Sequence, residues 1–96
     1  MNSEQLQTMI LDYILEMIGI VKSSSKYSSQ ECLVLLRQTC DELLDNFNNF
    51  SQSQDEALEI SLMKLKVCLS SNVIDEDSII YISNDIGLKA IDQLSE

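Results

Sequence analysis

Asp75-Glu76-Asp77-Ser78-Ile79-Ile80-Tyr81-Ile82-Ser83-Asn84-Asp85-Ile86-Gly87 is the stretch on which the fold turns. Ile79, Ile80, Tyr81 and Ile82 are β-branched or aromatic, the composition of an edge strand over Ser78–Ser83, and Gly87 costs a helix interior about 1 kcal/mol. Against that, acids near Asp75 and Asp77 suit the positive end of a helix macrodipole. Ile79, Ile82, Ile86 and Ala90 then recur at helical spacing toward Leu94. A strand at 78–83 also lacks a partner, because no other segment alternates apolar and polar residues with period two. The helical reading, over residues 76–94, makes the chain all-α.

Upstream, Ser70-Ser71-Asn72 stops a helix predicted over 54–70, opened by the capping box Ser53/Glu56 and carrying the seam Leu58, Leu62, Leu65, Leu69. A second capping box, Ser28/Glu31, opens a helix over 29–49. Its Leu33, Leu36, Cys40, Leu43, Phe47 and Phe50 alternate three and four residues apart, the spacing of a shallow-angle packing seam, and Asn48 and Asn49 mark its end. Before the loop at 23–27, a helix over 3–22 carries Leu6, Ile10, Tyr13, Ile14, Met17, Ile18 and Val21 on one stripe, widened by Met9, Leu11, Leu15 and Ile20. A narrow polar line, Gln5, Asp12, Glu16 and Gly19, runs along it. This helix is expected to be the most enclosed, or to lend its extra face to a partner. Two Gly and no Pro leave a β-rich fold short of turns. The expected fold is a single-domain antiparallel four-helix bundle over residues 1–96.

Composition narrows function by exclusion. Ninety-six residues bury roughly 60–65% of their unfolded surface, enough for one core but little for a deep substrate cavity. With no His, the usual acid/base near neutrality and the commonest metal ligand are both missing. Sixteen acids against six bases give a formal charge of −10, which disfavours binding to nucleic acid and to anionic lipid. The apolar run Met9–Val21 is short and contains Asp12 and Glu16, so no membrane insertion is expected. The opening Met1-Asn2-Ser3-Glu4-Gln5 has no basic region of the secretory kind, so a cytoplasmic location with reduced thiols is expected.

No constellation of residues carries evident chemistry. Asp75-Glu76-Asp77 resembles the start of a calcium loop, but Ile79 and Ile80 stand where an oxygen ligand and Gly are needed, and Asp45-Asn46-Phe47 fails at its third position. Acids capping a helix explain the first run more simply. The three Cys form no CxxC pattern, and Cys32 and Cys40, about 12 Å apart along one helix, cannot bridge there. Cys40 reads as a small core hydrophobe, and Asp12/Glu16 as a solvated polar edge. There is no phosphate loop, no nucleophile elbow and no basic stripe. No catalytic residue, metal or cofactor is therefore nominated.

Charge is unevenly spread. Residues 38–63 hold Asp41, Glu42, Asp45, Asp55, Glu56 and Glu59 without a base, and 75–96 hold six acids against Lys89. Lys22, Lys26 and Arg37 surround the first loop, while Lys64 and Lys66 sit on the third helix. The outer faces of the second and fourth helices should be negative, either as a solvated surface or as a docking patch for a basic partner.

The order of elements carries a resemblance. A polar opening and a helix are followed by a loop ending Lys26-Tyr27-Ser28 and a leucine-seam helix with Leu33, Leu36, Leu43 and Leu44. The connection Ser70-Ser71-Asn72-Val73-Ile74 and a last helix with Ile79, Ile82 and Ile86 complete the order. In this the chain resembles the immunity proteins of pediocin-like (class IIa) bacteriocins, although many of those are basic. The resemblance implies a non-enzymatic cytoplasmic protein that protects the producer cell by acting, at the inner face of the membrane, on the bacteriocin-bound mannose permease. It also implies specificity in the C-terminal helical hairpin, which here nominates Lys64, Lys66, Ser70, Ser71, Asn72, Asp75, Glu76, Asp77, Tyr81 and Asp85 for partner contact. The competing expectation is an acidic inhibitor, antitoxin-like or chaperone module covering a basic protein, with the apolar first helix as an obligate interface. A monomer fits the first reading, and a dimer through the first helix fits the second. A redox or metal enzyme built on the cysteines is a third class, which requires metal in the purified protein or activity lost in a triple Cys→Ser variant.

Overall fold

The β-branched run at 79–82 lies inside a helix. The computed structural model describes residues 3–23, 28–50 and 56–94, which form α1 (Ser3–Lys22), α2 (Ser29–Phe50), α3 (Glu56–Leu69) and α4 (Glu76–Leu94), with no strand among them. Local chemistry explains the starts. Ser28 Oγ accepts the Glu31 N–H at 3.1 Å, one half of the expected capping box, and opens α2. Asp75 caps α4: its carboxylate accepts the Ser78 N–H at 3.1 Å and the Ser78 hydroxyl at 2.8 Å. The second expected capping-box residue, Ser53, lies outside the described residues, as do Lys26, Tyr27 and Asp55 and the side chain of Phe50.

The seams become the core. Ile10 and Met17 of α1, Leu36, Cys40, Leu43 and Phe47 of α2, Leu58, Leu62, Leu65 and Leu69 of α3, and Ile79, Ile86 and Ala90 of α4 are all buried in one cluster. One seam position moves. On α4 the buried line passes through Ser83, while Ile82 sits half-buried at its edge, so the inward face is Ile79, Ser83, Ile86, Ala90. The Ser83 hydroxyl has no hydrogen-bond partner among the described residues.

Each helix touches two others: α1 packs on α2 and α4, and α3 packs on α2 and α4. Specific bonds give the pairings. Gln7 Nε2, at the start of α1, donates to the Ala90 and Ile91 carbonyls at the end of α4, both at 3.3 Å. Asn46 Nδ2, late in α2, donates to the Tyr13 hydroxyl at 2.8 Å. Arg37, early in α2, reaches the last carbonyl of α3. These pairings are consistent with helices that alternate in direction, and the 40 × 20 × 19 Å envelope is one helix long and two helices wide.

The broad stripe of α1 is absorbed by this arrangement. Met9, Tyr13, Ile18 and Ile20 pack against the core from the flanks of α1, Leu11 approaches α4 at Gly87, and Leu15 alone of the expected apolar residues is exposed. The excess width of α1 is the width needed to cover two neighbours.

Gly87, which argued against a helix, is buried where α1 and α4 meet. A Cβ there would lie 3.6 Å from Leu11 Cδ2 and 4.0 Å from Ile14 Cγ2, ordinary contact distances. Gly87→Ala should therefore raise stability by roughly 0.5–1 kcal/mol, the helix-propensity difference, in a urea unfolding titration. A destabilised variant would show that α1 and α4 pack too closely to admit a methyl group.

Candidate functional site

The ten residues nominated for partner contact lie on α3, on α4 and on the segment between them, and four of them, Ser70, Ser71, Asp75 and Asp85, make bonds that hold that region together. Ser70 Oγ donates to the Val67 carbonyl at 2.6 Å, and Ser71 Oγ accepts the Val73 N–H at 3.2 Å. Asp75 is the cap of α4, and its bonds from Ser78 hold its carboxyl below the usual range. Glu76 and Asp77 occupy the exposed first turn of α4, where their charge favours the helix dipole.

The two lysines of α3 do not share a site. Lys64 borders a shallow apolar depression with Glu59, Ile60, Met63 and Val67. Lys66 points toward α2, in a cleft with Arg37, Cys40, Asp41, Ser70 and Asn72. Asn72 also rims a second cleft with Ser28, Glu31, Val34 and Arg37.

Arg37 is the residue that organises this end, and the sequence showed it only as one more charge near the first loop. Its Nε donates to the Leu69 carbonyl at 2.7 Å and its Nη2 to the Ser71 carbonyl at 3.0 Å. One guanidinium fork thus satisfies a terminal carbonyl of α3 and the backbone beyond it. The target carbonyls lie more than thirty residues away along the chain, so no local pattern could reveal them.

A polar cluster across α3 and α4 was also hidden. Lys89 Nζ lies 2.9 Å from Asp85 Oδ2 and 2.6 Å from Ser61 Oγ, and the Ser61 hydroxyl donates to Asp85 Oδ2 at 3.2 Å. The Lys89 hydrogen bond, first of several causes, holds the Asp85 carboxyl below the usual range. A serine beside a lysine invites comparison with a nucleophile and its base. Here Ser61 is fully buried and Lys89 is ion-paired as a donor, and the cluster clasps α3 to α4.

Two of the thiols are shifted upward. Burial, aided by the neighbouring Asp41 charge, pushes the Cys40 thiol up to about 11, and burial followed by the Asp75 charge raises that of Cys68. Cys32 is buried. Among the described residues no group of three or more Cys, Asp or Glu is arranged to hold a metal, and no helix is long and apolar enough to cross a membrane.

Large apolar side chains also remain outward on this part of the molecule, among exposed polar ones. Among the described residues, the large apolar side chains left exposed are Leu15 and Val34, and then Ile60, Met63, Val67, Val73, Tyr81, Leu88 and Ile91, all within residues 56–94. Of the nominated residues all but Asp85 are exposed, and Tyr81 is the one large apolar side chain among them, 74% exposed. The acids of α2, Asp41, Glu42 and Asp45, are exposed on its outer face as expected. No protein-family model, curated protein or solved structure matches the chain.

Two outcomes follow from this geometry. Arg37→Ala should lower unfolding free energy by about 2 kcal/mol, since two charge-assisted bonds to main-chain carbonyls are lost, with Arg37→Lys intermediate because an ammonium lacks the fork. Urea titration with circular dichroism reads both. Asp75 and Asp85 have lowered folded-state values, so their charged forms favour folding above the unfolded carboxylate range near pH 4, and that contribution disappears as pH falls through the lower folded values. The Asp75→Asn/Asp85→Asn variant keeps a competent cap and should lose less stability than wild type between about pH 5 and pH 2.

Proposed function

We propose that this chain is a single-domain antiparallel four-helix bundle that works by binding another protein rather than by catalysis, through the 70–77 connection and the outer ridge of α4. The observation that carries this reading is the division of labour at this end of the fold. Ser70, Ser71, Asp75 and Asp85 spend their polar groups on internal bonds, while Val73, Tyr81 and Leu88 are left exposed beside them. Exposed apolar and aromatic residues rimmed by polar ones are the usual anchors of protein interfaces. Asp77 and Asn84 stand exposed along the same α4 ridge as Tyr81 and Leu88.

The particular function we infer is that of the bacteriocin immunity proteins that the chain resembles, with the bacteriocin-bound mannose permease as partner, met from the cytoplasmic side. The α3–α4 region would then be the part that recognises the complex. Expressed in a strain sensitive to pediocin-like bacteriocins, the chain should raise tolerance to at least one of a broad panel. Tyr81→Ala combined with Leu88→Ser should abolish that protection without loss of helix content. No protection against any member would overturn this assignment.

A second reading is favoured by the exposed acids Asp41, Glu42 and Asp45 of α2, which make no ion pair among the described residues. They suit an inhibitor, antitoxin-like or chaperone module on a basic protein. Its signature is a basic protein that co-purifies at low salt and is released as ionic strength rises.

A further inference from the structure

α4 carries a seam on each side. Its inward line, Ile79, Ser83, Ile86 and Ala90, is buried, and on the opposite side Tyr81, Asn84, Leu88 and Ile91 stand exposed at the same alternation of three and four residues. Leu88 is 67% and Ile91 48% exposed. This is the spacing with which one helix receives another lengthwise: in heptad terms Tyr81 and Leu88 stand at a, and Asn84 and Ile91 at d. A second helix lying along α4 meets all four at once.

Charge decides what kind of helix that is. Asp77 stands at d one turn before Tyr81, and Ser78, Asp85 and Asp92 occupy the e positions, whereas Ile80 packs against the core and Gly87 is buried at g. No lysine or arginine flanks the seam on α4 itself, because Lys89, at b, is turned to Ser61 of α3. Asp85 is answered within the fold, by Lys89 at 2.9 Å and by the nearby charge of Lys64. Asp77 and Asp92 are exposed and make no ion pair among the described residues. They stand at the two ends of the seam, fifteen residues and about 22 Å apart.

The other exposed stripe on this half of the molecule lacks that selectivity. Ile60, Met63 and Val67 of α3 lie beside Glu59 and Lys64, one charge of each sign, and favour no partner over another. On α4 the uncompensated charges have one sign. A second copy of this chain would set acid against acid in either direction, and an anionic lipid surface is repelled for the same reason. The complementary surface is basic at both ends and apolar between them.

We propose that the exposed seam of α4 is the docking surface for a cationic amphipathic helix of another protein, its apolar residues against Tyr81, Leu88 and Ile91 and a Lys or Arg at each end against Asp77 and Asp92. Asn84, a polar residue within the seam, favours a polar residue opposite and so fixes the register. The proposal rests on the reading of α4 as a partner-binding ridge and adds the chemistry of the partner.

Two synthetic peptides test it, each with Leu at a and d and Ala at the outer positions, and differing only in Lys or Glu at e and g. Like charges at e and g keep either peptide from pairing with itself. Titrated into the full chain, the Lys peptide should bind, with amide shifts centred on Tyr81, Asn84, Leu88 and Ile91 in heteronuclear NMR, and the Glu peptide should not. Affinity should fall as salt rises. Asp77→Lys/Asp92→Lys and Tyr81→Ala/Leu88→Ser should each raise Kd for the Lys peptide at least about tenfold, with helix content checked by circular dichroism. Asp41→Lys/Asp45→Lys, on α2, should leave it within about twofold. The Asp77→Lys/Asp92→Lys variant should in turn gain affinity for the Glu peptide, an outcome that loss of folding cannot produce. No binding of the Lys peptide, equal binding of both peptides, or binding lost with the α2 variant rather than the α4 variants would overturn the proposal. Failure of the peptide with bacteriocin protection intact would sink this inference alone, and peptide binding without protection would sink only the immunity assignment.

Discussion

An apolar stripe too wide for one neighbour is the constraint from which the rest of the fold follows. α1 carries apolar residues on its inward face and on both flanks, and burying them needs a helix on each side. α2, next in sequence, covers one flank, with Tyr13 held by Asn46. The other flank must wait for α4, the last element, whose approach at Gly87 and whose final carbonyls receive Gln7. That contact joins the two ends of the chain and brings α3 between α2 and α4, where its leucine seam completes the core.

Two polar devices hold the second half of the ring in register. Arg37 ties α2 to the end of α3, so the segment that leads into α4 leaves at a defined point. Ser61, Asp85 and Lys89 then join α3 to α4 more than two turns away from their connection. Both are bonds between residues distant in sequence, made by side chains that composition alone presents as surface charge. Their effect is to tie α3 to α2 and to α4, while Ile60, Met63, Val67, Tyr81 and Leu88 stay exposed among polar neighbours.

Most of the fold was legible in the chain. The leucine and isoleucine spacings placed all four helices to within a residue or two wherever the ends are described, because a buried stripe of period 3.6 is a property of the helix itself. Capping was legible for the same reason: Ser28 and Asp75 act on N–H groups only three residues away. The rotation of α4 was less so. Ile80 and Ile82 flank Ile79 on both sides, so spacing alone allowed Ile82 in the seam, and only packing against the neighbouring helices turned Ser83 inward. The candidate site was legible as a region but not as a set of residues. Asp75 and Asp85 drew attention as acids, yet each is engaged by a neighbour, and Lys64 and Lys66, adjacent in sequence terms, face opposite ways on one helix.

By itself, then, the sequence determined the helices, the caps at Ser28 and Asp75 and most of the buried faces, because each depends on residues within a turn or two of one another. Tertiary structure alone decided which helices are neighbours, what Arg37 and Lys89 bind, and which apolar residues remain uncovered. Those outcomes rest on contacts between segments far apart in the chain, where helical periodicity carries no information about which face meets which.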